Sequence, residues 1–592
     1  MRAEERVERV REKMRSAGLN AYIVYGTDPH QSEYIPAHWQ LRHWLTGFHG
    51  SAGTALVTGE EAALWTDSRY YLEAEQALEG TPFRLQRADD PDTPSLPAYL
   101  AERLPHGARV GCAAETLALQ EDRRLRAALE PHGISFTTGE DLVAAIWGER
   151  PVLPTEAAFE FSDKRAGLSR SAKLTRVREA IARHRADALL VTALDDLAWT
   201  LNLRGADVPH NPVVFAYLLL ERTSARLFID PRKLNSALRE RLREAGVDCY
   251  AYDEVPSALR SLSEHTALMA DPAGINMRLV QALPPTVRLV EEPSPVARLK
   301  AVKNSRELTQ LNACLHKDGV AMVEFLHWLA TTWPREEVTE RSAAARLFEL
   351  RSAQPEFIGN SFEPISAFGG HGAIVHYRTS EATDRGLEAG GLYLIDSGGQ
   401  YLDGTTDITR TVAIGKPDDR MRTDYTLVLQ AHIALATTPF VYGTTGTQLD
   451  AVTRAVLWRH YRNYGHGTGH GIGFFLNVHE GPQRISTKWN SVRLEPGMVM
   501  SNEPGIYRSG AYGIRIENMV AVAADRENAF GSFLRLETLT LCPLDRTLIE
   551  VAMLSAYERG WVNRYHQQVY QALAPHLDTD ARAWLSEQTA AL

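Results

Sequence analysis

Four carboxylates and a histidine-rich run in the second half of the chain are the residues most able to do chemistry. Asp396 follows the apolar run Gly391 to Ile395, and Asp407 opens the β-branched run Ile408 to Ile414. Between them Gly398-Gly399-Gln400-Tyr401-Leu402-Asp403-Gly404 turns the chain back, so both carboxylates face one site across a hairpin. Two carboxylates that close repel unless a cation neutralises them. A second pair lies downstream: Glu503 ends Met498-Val499-Met500, and Glu517 sits among Ile514, Ile516 and Met519. Buried glutamates are rare unless paired or metal-bound, and Arg515 is the one local candidate for a purely structural partner. Between the pairs, Gly465-His466-Gly467-Thr468-Gly469-His470-Gly471 sets glycines beside each imidazole, and Val478-His479-Glu480 follows. Alternating glycines permit close backbone approach around a ligand. A phosphate loop is excluded, because no Lys-Ser/Thr follows and Phe474-Phe475-Leu476 is expected to be extended. His376, in Ala373-Ile374-Val375-His376-Tyr377, has the context of an apolar strand. Four acids around one imidazole suit two hard or borderline divalent cations sharing oxygen ligands, with Mn(II) a natural candidate, and not a thiolate-rich zinc site. Two such ions roughly 3.5 to 4 Å apart would hold a bridging hydroxide and polarise a carbonyl, so the predicted chemistry is hydrolysis.

The elements that position these groups come after a long internal repeat. Arg11-Glu12 precedes Ala21-Tyr22-Ile23-Val24 by the same interval as Arg178-Glu179 precedes Ala188-Leu189-Leu190-Val191, each reading as a helix and then a buried strand. Trp65-Thr66-Asp67-Ser68-Arg69 corresponds to Phe228-Ile229-Asp230-Pro231-Arg232, so the copies stay nearly in register and two successive α/β domains are predicted. Pro151 with Pro154, and Pro293 with Pro295, mark hinges. The expected segments are 1–150, 151–296, 297–545 and a helical extension over 546–592. The third opens on the capping-box spacing Asn304-Ser305-Arg306-Glu307 ahead of Leu308, Leu311, Leu315 and Met322, an amphipathic helix. A later helix is expected to be capped near Thr447 and Asp450, and strand-like runs alternate with helices in an α+β pattern. Tyr557, Trp561, Tyr565 and Tyr570 form a stripe that packs the extension on its domain.

Composition narrows the function class. The 592 residues carry 64 Lys plus Arg against 74 Asp plus Glu, a net charge of −10, so no overall basic field favours nucleic acid or an anionic membrane. The cysteines at 112, 249, 314 and 542 form no Cys-x-x-Cys pair and fit free thiols in a reducing compartment. With no apolar run near the roughly 18 residues a bilayer span needs, the expected location is the cytoplasm.

These motifs resemble those of the pita-bread metallopeptidases, the family of methionine aminopeptidase, prolidase and aminopeptidase P. The three-part layout, Thr66-Asp67-Ser68-Arg69-Tyr70 and the carboxy-terminal extension resemble most closely its long, three-domain Xaa-Pro aminopeptidases. The resemblance implies two related creatinase-like α/β domains, then a pita-bread catalytic domain with a helical extension, assembled as a homodimer. It implies Asp396, Asp407, His470, Glu503 and Glu517 as ligands of two Mn(II) ions, with Zn or Co as other possible cations. It also implies Glu503 as general base, with His376 donating to the tetrahedral intermediate. His466 and His479 would line the substrate site with His376 and hold the peptide carbonyl, His479 counting with Glu503 and His376 as catalytic, and Arg69 joins the substrate contacts. The substrates would be peptides with proline second. The family often has Asn in the loop before His376, where this chain has Gly369-Gly370-His371-Gly372; His371 is expected to be an exposed loop histidine. The alternatives are a prolidase acting on dipeptides, a metal-free creatinase-like hydrolase, and a non-catalytic partner-binding module. The complete acidic set disfavours the last two, and the duplicated amino-terminal half the first.

Overall fold

The computed structural model describes residues 1–592 and divides into two compact units: 1–164 with 168–297, and 165–167 with 298–592. The first unit contains the repeat as two six-stranded sheets. Each places its strands, counted along the chain, in the spatial order fourth, third, second, first, fifth, sixth. The opening strands Ala21–Tyr25 and Ala188–Val191 each follow a helix (Ala3–Ala17 and Arg170–Arg183) and each pair antiparallel with the second strand and parallel with the fifth. Buried side chains of both sheets, among them Ile23, Leu56, Leu190, Leu219 and Leu268, belong to one hydrophobic cluster. Cys112, Cys314 and Cys542 are buried and Cys249 half-buried, all as free thiols.

The second unit opens as the spacing predicts. Asn304 caps the helix Ser305–Thr332 by accepting from the Arg306 and Glu307 N–H groups, while Glu307 accepts from the Asn304 N–H. Three further helices, Glu340–Ser352, Asp419–Thr437 and Gly446–Trp458, accompany sheets rather than alternate with every strand. Thr445 occupies the N-cap of the last of these, so the cap lies ahead of Thr447 and Asp450; Asp450 instead turns inward from the helix. One three-stranded sheet runs Ile365–Phe368, Gly391–Ser397, Ile408–Ile414, and a six-stranded sheet places Asn518–Asn528, Val499–Asn502, Gly469–Gly471 and Glu480–Ile485 side by side. Phe474 to Leu476 form a bend, with Phe475 at φ 46°, not the extended run expected. The extension folds into helices Ala556–Leu573 and Thr579–Gln588; of the stripe, Tyr565 is buried in the core of the second unit and Trp561 and Tyr570 pack against it half-buried, as predicted, whereas Tyr557 is exposed. No helix is long and apolar enough to cross a membrane.

Candidate metal centre

Strand ends deliver the acidic groups. Asp396 lies in Gly391–Ser397 opposite Thr409, and Asp407 immediately precedes Ile408–Ile414. Because side chains alternate along a strand, Asp396, Thr409 and Asp407 share one face. Glu503 directly follows Val499–Asn502, and Glu517 sits between Tyr512–Arg515 and Asn518–Asn528, its N–H donating to the Thr409 carbonyl at 3.2 Å. His470 is the middle residue of Gly469–Gly471. A Cβ at Gly469 would lie 2.0 Å from the Ser501 carbonyl oxygen, and one at Gly471 2.3 Å from that of Glu480, so the flanking glycines let this strand seat His470 against its neighbours.

Donor atoms of Asp407, His470 and Glu517 lie within 4.8 Å of one another. His470 Nε2 is 3.5 Å from Asp407 Oδ2 and 3.6 Å from Glu503 Oε1. Its Nδ1 is 3.0 Å from the Gly471 carbonyl, which can only accept, so Nδ1 carries a hydrogen and Nε2 is the nitrogen turned to the carboxylates. Asp396 Oδ2 accepts from Arg515 Nη2 at 2.6 Å, whereas Oδ1 is buried with no hydrogen-bond partner. Buried polar atoms are ordinarily satisfied, and an unpartnered carboxylate oxygen beside three other carboxylates fits an oxygen-ligated divalent cation.

Electrostatics describe the same crowding. Burial pushes Glu503 up from 4.5 to about 7; Arg515 counteracts this and Asp396 adds to it. Asp407 and Glu517 are driven well above the carboxylate range, first by burial and then by each other's neighbours: Asp396 and Glu503 on Asp407, and Asp407, Asp396 and Glu503 on Glu517. Glu517 is fully buried, while the Glu503 side chain keeps 16% of its surface exposed, less enclosed than its apolar strand suggests.

This geometry is held by Arg515 and Asp450, which the residue pattern marked only as a structural partner and a helix cap, and by Thr409, Arg410, Arg454 and Tyr507, which it did not mark. Arg515 spans the site: Nη2 on Asp396, Nη1 on the Tyr507 hydroxyl at 2.7 Å, and Nε on Thr409 Oγ1 at 3.2 Å, the hydroxyl that itself donates to Glu517 Oε2 at 2.7 Å. Tyr507, having accepted from Arg515, donates to His466 Nε2 at 2.7 Å, since His466 Nδ1 is committed to the Gly467 carbonyl. Behind Glu517, the buried Arg410 donates to its carbonyl at 2.7 Å, to Asn518 Oδ1 and to the Tyr565 hydroxyl, which ties the extension to the back of the site. From Gly446–Trp458, Arg454 donates to the His466 carbonyl and Asp450 accepts from Thr468 Oγ1. The only signal in the sequence is an arginine or aspartate lodged among apolar residues, as Arg515 is between Ile514 and Ile516.

Among the remaining expected site residues, His466 Nδ1 is 3.9 Å from Glu503 Oε2, and the His479 ring stands edge-on to His470 with centroids 4.4 Å apart. His376 is half-buried in a turn that follows the short helix Gly369–Ala373 and not in a strand; the glycines there break the extended run that its apolar neighbours suggested. His371 is likewise not an exposed histidine: it is half-buried with Nδ1 2.9 Å from Glu340 Oε1. Arg69 lies in the first unit, its guanidinium forked onto Asp67 with both contacts at 2.8 Å and set over the Tyr70 ring.

Residues 310–524 match the description Metallopeptidase family M24, and residues 532–592 match the C-terminal region of that peptidase. Residues 6–146 and 149–307 each match the creatinase/prolidase N-terminal domain. Aminopeptidase P2 of Arabidopsis thaliana is 37% identical over 97% of this chain and 86% of its own length. The chain belongs to metallopeptidase family M24. A probable Xaa-Pro aminopeptidase P of Coprinopsis cinerea is 38% identical to this M24 peptidase over 98% of the chain and 97% of that protein. The crystal structure of X-prolyl aminopeptidase from Caenorhabditis elegans, described as a cytosolic enzyme with a di-nuclear active site, is 32% identical, covers 100% of both chains and superposes with a TM-score of 0.96. Dipeptidase PepE of Mycobacterium ulcerans, 27% identical with a TM-score of 0.51, covers 64% of the chain.

Proposed function

We propose that this M24 peptidase is a metal-dependent Xaa-Pro aminopeptidase that removes the first residue from peptides with proline second. In this reading Asp396, Asp407, His470, Glu503 and Glu517 hold two divalent ions, Mn(II) foremost, with Zn(II) or Co(II) able to substitute. The observation that carries it is the convergence of Asp407, His470 and Glu517 donors beside the unpartnered Asp396 Oδ1, in a chain so similar along its length to named Xaa-Pro aminopeptidases. When bound, the ions supply a water of lowered pKa and polarise the scissile carbonyl. The chain's own groups do the rest. Glu503 takes a proton from the attacking water and hands it to the prolyl nitrogen. His470 serves as ligand through Nε2 and not as base. His376 donates to the oxygen of the reacting carbonyl, and His466 and His479 hold the peptide with Arg69 as a further contact. A prolyl amide lacks N–H, so its pocket must accept a ring and spare no acceptor for a donor that is missing. Segments 1–150, 151–296, 297–545 and 546–592, a homodimer, and a cytoplasmic location like that given for the C. elegans enzyme belong to the same proposal.

The test is a titration. Chelated protein should bind Mn(II) to two equivalents per chain by calorimetry, with Xaa-Pro cleavage rising along the same curve; cleavage that persists in the metal-free protein overturns the proposal.

A further inference from the structure

Glu340 is the first residue of the helix Glu340–Ser352, a position where a carboxylate ordinarily points to solvent, yet its side chain is fully buried. Its donors all come from one stretch of chain. Oε1 accepts from the Phe368 N–H at 2.6 Å and from His371 Nδ1 at 2.9 Å; Oε2 accepts from the Tyr377 hydroxyl at 3.0 Å. The His371 ring stacks on Tyr377 with centroids 4.4 Å apart, and the Ser366 hydroxyl donates to the Glu340 carbonyl at 2.6 Å. These anchors bracket His376: Phe368 is the last residue of the preceding strand, His371 sits in the short helix, and Tyr377 is the next residue after His376.

The same loop is pressed onto a second part of the site. A Cβ at Gly372 would lie 3.0 Å from the Gly513 nitrogen, and one at Gly513 only 1.7 Å from the Gly372 carbonyl oxygen. Backbone therefore meets backbone between residues 369–373 and the hairpin of Gly505–Arg508 and Tyr512–Arg515, the hairpin that carries Tyr507 and Arg515. A shift of the loop has to be absorbed by that hairpin or by the turn that holds His376.

We propose that Glu340, clamped by Phe368, His371 and Tyr377, is a positioning residue that sets His376 for the reaction, with His371 as the side-chain latch. The proposal rests on the assignment of His376 above. The family pattern often has Asn in this loop, a side chain whose amide could donate to the same carboxylate.

The experiment combines kinetics, metal analysis and hydrogen exchange on the metal-loaded full-length enzyme. His371→Ala should lower kcat about tenfold with KM within threefold and metal content unchanged, because small displacements of a group acting on the transition state cost rate and not binding. His371→Asn should restore kcat to within about threefold of the wild type by supplying the amide donor, and Glu340→Gln should resemble His371→Ala. In a His376→Ala background, His371→Ala should cost less than about twofold more, since the residue it positions is gone. Amide exchange across 372–377 should accelerate at least about tenfold in His371→Ala. An additive loss in the double variant, a parallel loss of metal and activity, or unchanged exchange overturns the clamp. Accelerated exchange in a protein whose wild type cleaves no Xaa-Pro peptide supports the clamp and refutes the proposed activity instead.

Discussion

Removing the carboxylate charge at residue 503 should make the metal-free protein more stable at alkaline pH, although it disables the enzyme. Glu503 rises from 4.5 to about 7 in the fold, chiefly through burial. A group whose folded pKa is raised favours the protonated fold, so its penalty is absent below about pH 4.5, grows between 4.5 and 7, and is fully present above 7. At 1.36 kcal/mol per unit the ionised Glu503 costs the metal-free fold about 3 kcal/mol at pH 8. Asp407 and Glu517 are displaced in the same direction and steepen the trend. Glu503→Gln keeps the size of the side chain and removes the charge. At roughly 2–4 °C per kcal/mol for a domain of 150–250 residues, its metal-free Tm should exceed that of the wild type by several degrees at pH 8, with the gap closing toward pH 5. Metal changes the sign: cations replace the protons, so Mn(II) should raise the wild-type Tm more at pH 8 than at pH 6, and its affinity should fall as pH drops through 7. Scanning calorimetry of chelated and Mn(II)-loaded proteins at half-unit pH steps reads both effects. A metal-free Tm gap that is independent of pH, or a variant less stable than the wild type at pH 8, would refute the reasoning.

The same substitution, Glu503→Gln, should lower kcat at least about 100-fold in Mn(II)-saturated steady-state assays by removing a proton acceptor. His376→Ala should reduce kcat about 100-fold with bound metal unchanged by elemental analysis, as expected for a donor to the transition state. Tyr565→Phe deprives the buried Arg410 of one acceptor, so unfolding of the metal-loaded protein should move by about 1–3 kcal/mol while kcat stays within about threefold. Tyr507→Phe breaks the path from Arg515 to His466 and should raise KM for Xaa-Pro peptides more than it lowers metal affinity, measured by peptide kinetics alongside metal titration.

Much of the arrangement was legible because strand ends and glycines announce themselves. Asp396, Asp407 and Glu503 each adjoin an apolar run whose strand character survives in the fold, and the glycines beside His470 correspond to real backbone crowding. The duplication emerged from a matched helix-and-strand interval and reappears as two sheets of identical strand order. What stayed hidden depends on tertiary contact. Arg515 was readable as a buried cation near carboxylates, but its hold on Tyr507 is combined with contacts to Asp396 and Thr409, each over 100 positions away. His376 looked like a strand residue because Ile374, Val375 and Tyr377 are β-formers, and the Gly369–Ala373 turn overrode that propensity. His371 looked exposed because its neighbours are glycines; its partner Glu340 lies 31 residues earlier, on a helix whose inward-facing first residue no local pattern marks.

The most direct test of the proposed activity is product analysis by mass spectrometry. Metal-free and Mn(II)-loaded enzyme would be incubated with Arg-Pro-Pro, with Ala-Pro and with a proline-free tripeptide. The account predicts free Arg from Arg-Pro-Pro only when metal is present, and no cleavage of the proline-free peptide. Cleavage confined to Ala-Pro would make the enzyme a prolidase, and cleavage of none of the three by the metal-loaded protein would contradict the assignment of the acidic cluster as a catalytic metal centre.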